Sequence, residues 1–116
     1  MNNQQFKRVI KQRTEKTRNT LISKADEYAR GDRLSNFKQI AHLLNTTPEG
    51  ALMGLVAKHI VALADFVNDI DRGVIQPYPR WDEKIGDIIT YMHLLDAIII
   101  ERCPPEDKTA LQPQGT

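Results

Sequence analysis

The chain has one cysteine, Cys103, and one tryptophan, and only 6% of its residues are aromatic. A lone cysteine excludes an internal disulfide and any zinc site built from cysteines. So few aromatic residues suit a core of Leu, Ile, Val and Ala packed between helices. Long apolar runs are also missing. The most apolar stretch, Leu94 to Ile100, is too short to span a bilayer and contains Asp96. The N-terminal region is polar and has no apolar signal-type segment, which predicts a cytoplasmic, soluble chain with no membrane partner. No period-two alternation is long enough to argue for a sheet, and no internal repeat is apparent.

Helical periodicity fills the chain. At 116 residues, the chain is one domain by size. The spacing predicts an all-α bundle of three long helices and one short one, over 6–29, 36–44, 48–71 and 81–102. Together they make a single domain over 1–103, followed by a loose polar tail over 104–116. Gly31 accepts the left-handed conformation that ends helices, and Asp32 or Ser35 can cap the next helix. Thr47-Pro48-Glu49 is a helix start with an N-cap, a first-turn proline and a carboxylate at the positive end of the dipole. Gly73 closes that helix. The segment GVIQPYPR reads as an extended connection, and Pro104-Pro105 stops the last helix.

The last long helix organises the rest. Ile85, Ile88, Ile89, Met92, Leu95 and Ile99 recur at three- and four-residue spacing and predict its core stripe. Glu83, Asp87 and Tyr91 form a row at the edge of that stripe, continued by Leu94 and Ile98. The second half of this helix is therefore apolar nearly all round. With the thin apolar stripe of the first helix, that predicts a homo-oligomer. In the third helix Leu52, Leu55, Val56, His59, Ile60, Leu63, Phe66, Val67 and Ile70 make the expected stripe. The middle of the first helix, Lys11 to Thr20, is polar and is expected to project or to meet another subunit. Charge is uneven: residues 1–30 carry eight Lys and Arg against three Asp and Glu, whereas 31–116 carry eight against twelve. The basic arm is either a solvated helix face or a contact for phosphates, nucleic acid or acidic surfaces.

Two acidic pairs are candidates for chemistry. Asp65 and Asp69 lie four apart on the third helix, and Glu83 and Asp87 four apart on the fourth. A short connection makes these helices antiparallel neighbours, so the pairs can face one another. Clustered carboxylates hold Mg²⁺ for phosphate chemistry; solvated edges with ordinary ion pairs are the plain alternative. Lys58 can hold a phosphate or sit in solvent, and His59 can act as a base or as a hydrogen-bonded core residue. FKQIAHLLNTTPEGALMGLVAKH has helix-turn-helix spacing, but its second helix is too apolar for reading DNA.

The segments KADEYARGDRLSNFKQIA, PEGALMGLVAKHIVALADFV and WDEKIGDIITYMHLLDAIIIE resemble small phage and prophage proteins of the nucleotide modification associated domain type. More distantly, the chain is similar to the all-α NTP pyrophosphatases, the MazG and dUTPase-like group. The resemblance covers residues 21 to 102. It implies a MazG-like bundle, a nucleotide-linked role in the host cytoplasm and Mg²⁺ held by carboxylates. The pyrophosphatases use an ExxE pair and an ExxD pair, where this chain has i,i+4 spacing in both. By the family pattern, Lys24, Glu27, Tyr28, Arg33, Asn36, Lys58, His59, Glu83, Asp87 and Tyr91 converge on one pocket. Three functions are then expected to compete. One is a Mg²⁺-dependent nucleoside triphosphate pyrophosphohydrolase. The second is a non-catalytic protein that sequesters a nucleotide against a host system. The third is an accessory factor that binds DNA or protein through the basic first helix.

Overall fold

The computed structural model describes residues 1–27, 31–103 and 106. Four helices follow in order: α1 (Asn3–Glu27), α2 (Ser35–Leu44), α3 (Pro48–Asp71) and α4 (Tyr78–Arg102). No strand occurs among the described residues. The fold is all-α, as the periodicity requires.

The helix ends are set by local chemistry. Thr47 caps α3: its backbone is extended, and its side-chain oxygen accepts from the Gly50 amide at 3.0 Å. Pro48 takes the first-turn position, where its missing N–H costs nothing. Gly73, at φ 79°, supplies the left-handed residue after the C-cap of α3. For α2, Asp32 acts from outside the helix and accepts from the Leu34 amide at 2.9 Å. α4 starts three residues before the expected Trp81. Pro77 is its extended N-cap and Pro79 sits in the first turn, so these prolines begin the helix rather than precede it. The Trp81 indole N–H donates back to the Gln76 carbonyl at 2.9 Å and fixes the entry of the chain.

α3 and α4 are antiparallel. Phe66 meets Trp81 edge to face near one end, with ring centroids 5.3 Å apart. Glu49 and Arg102 clamp the other end through two hydrogen bonds. α1 runs parallel to α4: Arg13 bonds Asp82 near the start of α4, while Leu21 and Ile22 share a groove with Ile89 and His93 further along. α2 packs on α3.

The core is small. Leu34, Phe37, Leu52 and Ile98 form its buried centre, with Leu55, Tyr91, Leu94, Leu95 and Ala97 packed on it. Leu52 and Val56 are fully buried, each stabilising the fold by about 2 kcal/mol relative to an exposed side chain. Two expectations are corrected here. On α4 the row Asp87, Tyr91, Leu94 and Ile98 faces the cleft and the core, with Leu95 of the expected stripe packed beside it. Met92 and Ile99, expected in the core, stay 39% and 40% exposed. On α3 Ile60, Val67 and Ile70 are likewise exposed. A helix that is apolar nearly all round can present any side, and its neighbours decide which.

The polar middle of α1 does not project. Thr17 is buried and Arg13 half-buried, against α4. The part that stands clear is the start of the helix, where residues 1–12 are all exposed, Phe6, Val9 and Ile10 included.

Candidate functional site: a polar cleft across four helices

The inward row of α4 carries its polar residues into the bundle. Asp87 and Tyr91, one turn apart, meet His59 from the antiparallel α3. The His59 and Tyr91 ring centroids lie 5.7 Å apart, tilted by 36°. The His59 Nδ1 stands 3.5 Å from the Asp87 Oδ2. The His59 side chain is only 11% exposed, and its Nδ1 is buried without a hydrogen bond among the described residues. A distance of 3.5 Å permits an ion pair when the imidazole is protonated, but the contact does not qualify as a hydrogen bond. A buried nitrogen left in this state is a demand for a polar partner.

These three residues form one wall of a cleft of about 310 Å³. Arg33 and Asn36 close it from the start of α2, with Phe37 and Leu55 at its apolar floor and Thr20 and Thr90 at its side. Apolar surface with a few convergent polar groups is the usual make-up of a small-molecule site. A second lobe of about 380 Å³ continues along α1 and α4 and shares Thr20, Asp87 and Thr90 with the first. Its walls carry Arg13, Lys16, Asp82 and Glu83. Arg13 reaches across the α4 backbone at Gly86, where a Cβ would meet the end of its guanidinium at 2.9 Å and make that flexible side chain shift. Arg13 and Lys16 both hold Asp82, and the Arg13 hydrogen bond above all keeps that carboxyl below its ordinary range.

Of the residues singled out from sequence, Arg33, Asn36, His59, Asp87 and Tyr91 line the first lobe. Glu83 lines the second, with its side chain 66% exposed. Tyr28 lies outside the described residues, as do the side chains of Lys24 and Glu27. Lys58 is exposed and lines neither lobe, because on a helix it faces about 100° away from His59.

The four carboxylates expected to converge do not do so. Asp65 is exposed, Asp69 pairs with Arg72 at 3.1 Å, and it is His59 rather than an α3 carboxylate that faces Asp87. Among the described residues no three His, Cys, Asp or Glu side chains gather as a metal site. The physical reason is facing as much as register: with Phe66 set against Trp81 and His59 against Asp87, Asp65 turns outward and is exposed, while Asp69 lies level with the residues before the acidic pair on α4 and is held by Arg72.

Sequence reasoning missed Thr20, Thr90, Phe37 and Leu55 in the first lobe, and the Arg13–Lys16–Asp82 group in the second. The spacing 13, 17, 20 along the polar middle of α1 was a usable signal for a helix face. It was hidden because that face is made of Arg and Thr rather than of apolar residues.

Compared with models of known protein families, with curated proteins and with solved structures, the chain matches none.

Proposed function

We propose that the chain is a nucleotide-handling protein whose cleft takes a nucleoside phosphate. One observation carries the reading. Arg33, Asn36, His59, Asp87 and Tyr91, drawn from the α2 region, α3 and α4, line a single cleft of about 310 Å³. Each offers what such a ligand needs. Tyr91 offers a ring face to a base, above the apolar floor that Phe37 and Leu55 form. Asn36 offers donor and acceptor together to its edge. Arg33 offers a planar cation to a phosphate. The buried His59 Nδ1 gains a polar partner when the cleft is filled. The resemblance to phage proteins of the nucleotide modification associated type supports the same class.

Glu83 and Asp87, one turn apart on α4, are the donors for Mg²⁺ in this reading. Mg²⁺ is commonly held by one or two carboxylates together with the phosphates it accompanies, and bound there it would neutralise phosphate charge. Asp65 and Asp69 have no part in the proposed site. Binding is the function proposed; pyrophosphate release is the further activity that the acidic pair would serve.

A thermal-shift screen of nucleotides, run with and without Mg²⁺ and followed by an assay for pyrophosphate, tests this. A ligand at 100 times its dissociation constant adds about 2.7 kcal/mol of stability. Stabilisation without pyrophosphate gives a binder; stabilisation with Mg²⁺-dependent pyrophosphate gives a hydrolase. No stabilisation by any nucleoside phosphate would remove the proposal.

A further inference from the structure

We infer that the outward face of α1 binds the phosphate backbone of double-stranded DNA, at a surface separate from the cleft. Residues 1–18 carry six Lys and Arg against one carboxylate, Glu15. The fold sorts these cations into two sets. Arg13 and Lys16 reach α4 and are held by Asp82. Lys7, Arg8, Lys11 and Arg18 are exposed and make no ion pair among the described residues. At about 100° of turn per residue, these four fall within roughly 100° of arc, centred on the side opposite Arg13. Lys7, Lys11 and Arg18 share one row, which runs for about 16 Å along the helix. Like charges three and four residues apart, as at Lys7, Arg8 and Lys11, oppose helix formation, and an anion laid on this face relieves that repulsion.

Charge and the place of the apolar residues select the occupant. A row of unneutralised cations matches a polyanion of closely spaced charge, and duplex DNA presents about one charge per 1.7 Å of its axis. Residues 1–12 are exposed all round, so the body of the fold leaves this stretch room to lie against a duplex. The helix also fixes the cations beforehand, and little backbone freedom is lost on docking. Two other polyanions fit less well. An anionic bilayer takes a helix whose apolar residues enter the lipid with cations beside them, but Phe6 and Val9 lie about 150° round the helix from the centre of the cationic arc. A single strand is held by stacking on aromatic rings, and Phe6, the one aromatic residue of this stretch, is on that far side. Contacts to phosphate carry no sequence information, so the binding is independent of sequence.

Fluorescence anisotropy of a short labelled DNA duplex with the full chain, over a range of salt, tests the inference. The logarithm of the binding constant should fall against that of the salt concentration with a slope of about −3.6, or 0.9 for each of four phosphate contacts. Lys7→Gln with Lys11→Gln removes two contacts and should halve the slope to about −1.8, with helix content unchanged by circular dichroism. Lys58→Gln, a loss of exposed charge on α3, should leave the slope as in the wild type, and a duplex of scrambled sequence should bind equally well. The inference is overturned if the duplex stays unbound at low salt, or if the double variant keeps the wild-type slope. It is overturned too if Lys58→Gln lowers the slope as well, if a single strand binds more tightly than the duplex, or if anionic phospholipid vesicles are bound in place of DNA.

Discussion

His59 Nδ1 lies 3.5 Å from Asp87 Oδ2, across the boundary between α3 and α4. The contact joins the two helices at the point where the apolar core gives way to the polar cleft. The imidazole is nearly buried, whereas the carboxylate is 42% exposed and lines both lobes. Asp87 is therefore available to a ligand without leaving the fold, while His59 reports from inside.

Asp87→Asn should separate function from stability. The side chain keeps its shape and loses its charge. Because it is partly exposed, its melting temperature should move by a few degrees at most. Mg²⁺-dependent nucleotide binding should weaken by tenfold or more, or about 1.4 kcal/mol per tenfold. Titration calorimetry beside a thermal melt measures both. A loss of 3–5 kcal/mol in stability with binding intact would instead identify a buried ion pair.

Tyr91 tests the position of the base. Tyr91→Phe keeps the ring that faces His59 at 5.7 Å, and should bind nucleotide within a few-fold of wild type. Tyr91→Ala removes the ring and should cost about 1–3 kcal/mol of binding, the range for base–aromatic stacking. Equal binding by both variants, measured by fluorescence titration, would place the base elsewhere.

The helices were legible because their ends are written in local chemistry: Thr47-Pro48-Glu49 and Gly73 bound α3 where the sequence predicts. The wall of the cleft was legible for a different reason. Arg33, Asn36, His59, Asp87 and Tyr91 are five of the ten residues that the resemblance implies for one pocket, and these five line the first lobe. What could not be read was which side of α3 and of α4 faces inward. Both helices are apolar over most of their circumference, so Ile88, Met92 and Ile99 make as good a stripe as Tyr91, Leu94 and Ile98. Only packing against neighbours decides between them. The seat of α1 was hidden too: its face at 13, 17 and 20 is periodic but polar, and the Arg13–Asp82 pair that fixes it joins residues 69 apart.

Thr17 offers a stability test of that α1–α4 seat. The residue is 5% exposed, and its hydroxyl is buried without a hydrogen bond among the described residues. An unsatisfied hydroxyl costs about 1–3 kcal/mol in desolvation. Thr17→Val keeps the branched shape, so it should raise stability in chemical denaturation by about 1 kcal/mol. A destabilised Thr17→Val would show that the hydroxyl has a partner in solution.

The clamp at the far end of the bundle sets how stability depends on acid. Arg102 donates to both carboxylate oxygens of Glu49, from Nε at 2.5 Å and from Nη2 at 2.9 Å. This hydrogen-bonded pairing, first among the causes, lowers the Glu49 carboxyl from 4.5 to about 2. In the unfolded chain Glu49 returns to its ordinary value, so the unfolded state takes up a proton first as the pH falls. The sign follows from linkage. The Glu49 contribution is fully present above pH 4.5, declines as the pH drops below that value, and is gone below about 2. Asp82, held down by Arg13, and Asp32, held down by Lys38, act in the same direction. Melting temperature should therefore fall between pH 4.5 and 2 in the wild type. Glu49→Gln cannot ionise, so its curve should start lower at neutral pH and fall less steeply through that window, converging on the wild type at the acid end. Parallel curves for the two proteins would mean that the pair does not form in solution and that α3 and α4 are held at this end by the apolar cluster around Leu52 and Ile98.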